Sequence, residues 1–177
     1  MKLKIVSKEA YNINIDDVKS FLRVTDDTED GLINLFIQTA CKKAEEITNR
    51  ALSLTTFELY EDKIINIELP KPPFIELKAV EVLQNGTYTA IDYYTLDDKS
   101  EPAVLMFENT TECNDLNCLK ITYTAGYSEI PGPIKNWVFV TIGTLYENRE
   151  QISDVSTYEL PNRFIDSLLD SYKVRFV

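Results

Sequence analysis

The chain has 177 residues and 44% hydrophobic content, which suits one well-packed domain or a compact core carrying a large insertion and leaves little room for two independent domains. Its 18 Lys and Arg stand against 29 Asp and Glu, so the formal net charge is -11, and with no Lys/Arg run to offset it a general attraction to phosphate or anionic lipid is excluded. The absence of histidine excludes Ser-His-Asp and Cys-His nucleophile pairs, an imidazole general base and a His-bearing zinc site.

The opening Met1-Lys2-Leu3-Lys4-Ile5-Val6 runs at once into Ser7, Lys8 and Glu9 and lacks the apolar core of a secretory signal, and no later apolar run approaches membrane-spanning length. A soluble protein made in a cytoplasm is expected. Asn14 with Asp17 three residues on, flanked by Ile13 and Val18, reads as a capping box variant with a hydrophobic staple, and predicts a short helix from about Ile15 to Arg23. The acidic cluster Asp26-Asp27-Thr28-Glu29-Asp30 supplies an N-cap and favourable charge for a long second helix reaching about Asn49. Leu32, Phe36, Ala40, Ala44 and Ile47 keep helical spacing there, and Ile33, Leu35 and Ile37 widen the stripe beyond what one neighbour covers, which suggests a second buried face.

From Leu54 the chain changes to short Thr-, Tyr-, Ile- and Val-rich runs between Pro, Gly and Asp, the pattern of antiparallel strands. Strands are predicted over 56–61, 64–69, 79–84, 87–91, 93–96, 104–108 and 119–124. Asn85-Gly86 is the strongest hairpin signal, because a tight primed turn needs positive φ at both central residues. Pro70-Lys71-Pro72-Pro73 reads as a stiff extended crossing. Helical spacing returns after Pro131-Gly132-Pro133, with Ile134, Trp137, Val138, Thr141, Ile142, Leu145 and Tyr146 on a broad apolar face. A last helix is predicted from Leu160-Pro161, presenting Phe164, Ile165, Leu168, Leu169 and Tyr172, before an alternating tail, Lys173-Val174-Arg175-Phe176-Val177, suited to pairing as a strand. The expected fold class is therefore α+β: a core of about four helices with an antiparallel β insertion, about 54–124, between the second and third, all in one domain over 1–177.

Candidate chemistry is thin. Cys113 and Cys118 are four residues apart with only distant Cys41 to join them, which points to structural or incidental thiols and, three being too few for a disulfide framework, agrees with a reducing compartment. Asp26, Thr28, Asp30 and Gly31 match the first, third, fifth and sixth positions of a helix-flanked calcium loop, but Ile37 stands where its bidentate Glu belongs, so helix capping is preferred. Tyr88, Tyr93, Tyr94 and Phe107 could stack bases or sugars, but without a basic groove beside them core or interface packing is the better reading. No catalytic, cofactor or metal residue is assigned.

A resemblance adds to these readings. Tyr123-Thr124-Ala125-Gly126-Tyr127, Ile130-Pro131, Pro133-Ile134-Lys135 and Leu145-Tyr146-Glu147-Asn148-Arg149-Glu150 are similar to the signature of the phage head-tail connector (adaptor) family. Ile15-Asp16-Asp17-Val18-Lys19 with Phe21-Leu22-Arg23, Glu45-Glu46-Ile47-Thr48-Asn49-Arg50, Glu68 to Pro73, Asp92-Tyr93-Tyr94 and Leu160-Pro161 resemble its other segments in order, with Asn49 where the family commonly has Gly. The resemblance implies a protein without cofactor or catalysis that forms a ring, twelvefold in the virion neck, between the portal and a tail-side neck or stopper protein. DNA passes through without sequence-specific binding, no membrane is involved, and the chain is made in the bacterial host cytoplasm. Phe36, Ile37, Trp137 and Tyr146 are expected as core or subunit-contact residues, and Tyr172, Lys173, Val174, Arg175, Phe176 and Val177 as the portal-docking segment. The alternatives are another neck or tail-completion protein, or an unrelated module binding a ligand through its β insertion.

Overall fold

The fold is that of a computed structural model, which describes residues 1–108, 111–112, 115–148, 165 and 167–174. In chain order the elements are β1 (Lys2–Lys8), α1 (Ile15–Leu22), α2 (Asp30–Thr48), β2 (Thr55–Glu61), β3 (Lys63–Ile64), β4 (Ile67–Glu68), β5 (Phe74–Gln84), β6 (Thr87–Ala90), β7 (Tyr94–Asp97), β8 (Val104–Phe107), β9 (Thr111–Glu112), β10 (Leu119–Ala125), α3 (Gly132–Glu147) and a 3-10 turn, Asp170–Tyr172. They fall into two compact units, a sheet unit of Met1–Ala10 with Ser53–Ser128 and a helical unit of Tyr11–Leu52 with Glu129–Arg175.

The sheet unit is built on a five-stranded antiparallel sheet in the order β1-β2-β10-β5-β6, with a three-stranded sheet β4-β8-β7 and the small pair β3-β9. Alternation along β10 decides the faces: Leu119, Ile121, Tyr123 and Ala125 are buried and the residues between them are half-buried. Phe57, Leu59, Val80 and Val82 join that core, as do Ile67, Leu69, Leu105 and Phe107 from the smaller sheet and the proline crossing. The other face carries a cross-strand charge ladder. Lys4 of β1 reaches Glu58 of β2 at 3.5 Å, and Lys120 of β10 lies 4.0 Å from Glu58 and 2.8 Å from Glu81 of β5. The Tyr60 hydroxyl bond, aided by the Lys4 and Lys120 charges, holds the Glu58 carboxyl below the ordinary range, while burial and that same bond push Tyr60 up to about 12.

The Asn85-Gly86 hairpin forms as expected between β5 and β6, with φ 51° and 79° at its two central residues. Tyr123, fully buried, donates its hydroxyl to the Pro70 carbonyl at 2.7 Å and thereby fixes the proline crossing to β10. Tyr123→Phe leaves that carbonyl without this donor and is expected to cost about 1–3 kcal/mol in a urea melt. Unaltered stability would show that the bond holds nothing.

In the helical unit the start of α1 and the C-terminal end of α2 carry their sequence signals. The Asn14 side chain accepts from the Asp16 backbone N–H at 2.9 Å to cap α1, which ends in left-handed Arg23, and α2 ends in left-handed Asn49, the role expected of it. Val18 of α1, Ile33, Ile37, Ala40, Cys41 and Ala44 of α2, and Ile134, Trp137, Val138 and Ile142 of α3 form its core. Phe21 and Phe139 pack ring to ring at 5.6 Å, and Lys135 reaches Asp17 at 3.1 Å.

The expected core of about four helices carrying the sheet as an insertion is overturned. Strand β1 precedes every helix and pairs along β2 from Lys2↔Tyr60 to Lys8↔Thr55, so the main sheet draws on the N-terminus as well as on 54–124. Among the described residues the helical unit has three α-helices laid out in full and the 3-10 turn, with Ile165 and Ser167 also helical. The predicted start of a last helix at Leu160-Pro161 lies outside the described residues. The physical reason for the difference is β1 itself: an edge strand with six of its seven residues exposed carries no core pattern, only the alternation Lys2-Leu3-Lys4-Ile5.

Candidate functional site

The acidic turn between α1 and α2 is occupied by the protein's own cation. Lys19, buried on α1, donates to Asp27 at 2.5 Å and to Asp30 at 2.9 Å, and these bonds hold its pKa above the ordinary lysine value. Asp26 accepts from both the backbone and the hydroxyl of Thr28, which lowers its own pKa. The α2 N-cap, Glu29, makes no side-chain cap bond, so the cluster organises the turn through Lys19 and Thr28 rather than by capping. A calcium ion held by Asp26, Thr28 and Asp30 would have to displace the Lys19 ammonium from Asp30. Millimolar calcium is accordingly expected to leave the unfolding midpoint unchanged, and a calcium-dependent rise would contradict this account. Among the described residues no group of three or more acidic or Cys side chains is placed to hold a metal. Cys41 is buried in α2, and Cys118 is disulfide-bonded, a covalent tie that the cysteine count did not suggest.

The four aromatics considered as a stacking platform do not make one. Tyr88 belongs to the five-stranded sheet, where it lies 6.4 Å from the Tyr60 ring, sits beneath the Lys120 ammonium at 5.3 Å and donates its hydroxyl to the Asn117 carbonyl. Tyr94 packs against buried Phe107 on the three-stranded sheet, and only Tyr93 is exposed. Three of the four rings, Tyr88, Tyr94 and Phe107, are engaged with neighbouring side chains, and the four are divided between two sheets and a loop.

Of the residues expected in core or contact roles, the structure places Ile37 and Trp137 at 4% and 5% exposure in the helical core. Phe36 is half-buried, and Tyr146, also half-buried, donates its hydroxyl to Glu29. Beside Tyr146 an open groove runs between the end of α1 and α3, lined by Phe21, Leu22, Arg23, Val140, Gly143 and Thr144 among others. A Cβ at Gly143 would lie 3.3 Å from the Phe21 ring, a tight contact. Phe21 at 47% and Leu35 at 59% exposure are the large apolar side chains this unit leaves to solvent among its described residues.

Of the expected portal-docking segment, Tyr172, Lys173 and Val174 are described and Arg175, Phe176 and Val177 lie outside the described residues. Tyr172 and Val174 are half-buried against the end of α2, where Arg50 and Thr48 bind them. No described helix is long and apolar enough to cross a membrane.

The described residues thus form a helical unit with an open groove beside Phe21 and an antiparallel sheet unit. Residues 12–80 match the model of the phage gp6-like head-tail connector proteins, a stretch that takes in α1, α2, β2 to β4 and part of β5. No curated relative matches the chain. The fold is also that of solved neck subunits: the chain is similar to a protein in the neck of an empty gene transfer agent particle computed with C6 symmetry, at TM-score 0.78 and 19% identity. Chains from the virion of a native gene transfer agent particle and from its neck computed with C12 symmetry match at TM-scores 0.74 and 0.71, each at 18% identity. In all three the match covers 100% of this chain and 98% of the other.

Proposed function

We propose that this protein is a head-tail connector: a structural, non-catalytic subunit that forms a ring in the neck of a tailed phage or phage-like particle, between the portal and the tail-side neck proteins. The observation that carries the reading is the end-to-end fold likeness to neck subunits, joined to the family match over residues 12–80. A cyclic ring needs two different complementary faces on every subunit. The half-buried Phe36 and the Phe21–Tyr146 groove supply candidate surfaces for that contact, whereas Ile37 and Trp137 serve the core. The segment from Tyr172 to Val177 docks on the portal, its alternation suited to strand addition. A net charge of -11 supports a wall that repels the phosphate backbone, so DNA slides through without binding.

Electron microscopy of the portal protein from the same genome, mixed with this chain, tests the reading. A ring of added density on the tail-facing end of the portal is expected. Bare portals at saturating chain concentration would overturn it.

A further inference from the structure

We propose that the C-terminal end of α2 is a receptor for the chain's own C-terminal segment, and that it holds this segment in the free subunit until the portal competes it away. The proposal rests on the reading that the segment beginning at Tyr172 docks on the portal. Arg50 lies one residue past the left-handed Asn49 and is only 6% exposed. Its Nε–H donates to the Tyr172 carbonyl at 2.6 Å, with the guanidinium 5.9 Å from the centre of the Tyr172 ring. Two residues on, the Val174 backbone N–H donates to the Thr48 carbonyl at 2.9 Å. That carbonyl is one of the last four of α2, which a helix cannot satisfy internally.

The segment thus gives the Thr48 carbonyl a donor that α2 itself cannot supply and gives the buried Arg50 guanidinium an acceptor. It is anchored upstream by fully buried Leu169, and the Tyr172 N–H to Leu169 carbonyl bond at 2.9 Å closes the turn between them. The backbone groups used are the ones strand addition to a partner requires. While Val174 donates to Thr48 and the Tyr172 carbonyl accepts from Arg50, neither is available to a portal strand, so the two docked states exclude each other. Portal affinity is then reduced by the fraction of subunits whose segment is held. A subunit kept closed in this way reserves its docking segment for the portal, where many copies bind together.

The experiment compares the full-length chain, Arg50→Met, which keeps the apolar stem but removes the donors, and a chain ending at Ser171. Amide hydrogen exchange at Val174 and affinity for the portal protein from the same genome are the two readouts. For Arg50→Met the expected result is at least about tenfold faster exchange at Val174 and at least about tenfold tighter portal binding. Exchange that stays slow, or fast exchange with unchanged or weaker portal binding, overturns the latch. A chain ending at Ser171 that binds the portal as the full chain does removes the docking reading itself, and the latch with it. Should Arg50→Met fail to fold, Arg50→Lys keeps charge and stem, loses the planar fork and is read by the same two criteria.

Discussion

Gly126→Ala is expected to abolish the fold of the sheet unit, or to lower its stability by more than about 3 kcal/mol, the scale of a buried steric clash added to a forbidden backbone angle. Gly126 has φ 122°, a region that side chains rarely occupy. A Cβ built there lies 2.0 Å from the Ser53 carbonyl oxygen and 2.7 Å from its carbon, so the obstacle is backbone that no rotamer change can clear. Nor can the strand end move away cheaply, because the Gly126 N–H donates to the Pro73 carbonyl at 2.8 Å and ties β10 to the proline crossing. Circular dichroism during a thermal ramp measures the effect. A shift of roughly 6 °C or more is expected for a chain of this length, and a variant melting with the wild type would show that the close approach is not what the glycine serves.

Trp137→Ala is expected to destabilise the isolated subunit by about 3–5 kcal/mol, the range for truncating a large aromatic in a core that cannot collapse around the gap. Its side chain is 5% exposed on α3, in a unit whose core also includes Ile33, Ile37, Ala40, Val138 and Ile142. Sequence spacing left Trp137 open between core and subunit contact, and the two roles separate cleanly by measurement. A core role lowers the urea midpoint of the dilute chain. A contact role would leave that midpoint in place and reduce assembly alone, and that result would contradict the assignment.

How much of this was legible in the sequence depends on how local each signal is. Asn14, Arg23 and Asn49 set the ends of α1 and α2 because capping is decided within a few residues, and Asn85-Gly86 fixed a hairpin for the same reason. Strand β1 escaped because its partner, β2, begins 53 residues after the start of β1 and its own residues are almost all exposed, so no buried face printed an apolar pattern on it. The predicted strand over 64–69 divides into β3 and β4, which pair with different partners, β9 and β8. Spacing showed an extended run there and could not show that its two halves join separate sheets. At the acidic turn, the sequence displayed the carboxylates but not Lys19, whose side chain reaches them from the preceding helix. The Arg50 contact was out of reach as well, since 122 residues separate the guanidinium from the Tyr172 carbonyl.

Assembly is tested most directly by the light-scattering mass of the chain in solution, alone and then mixed with the portal protein from the same genome. Either a ring in the chain alone or a portal-dependent jump to a stoichiometric complex is expected. A monomer whose mass is indifferent to the portal at concentrations that saturate comparable necks would contradict it.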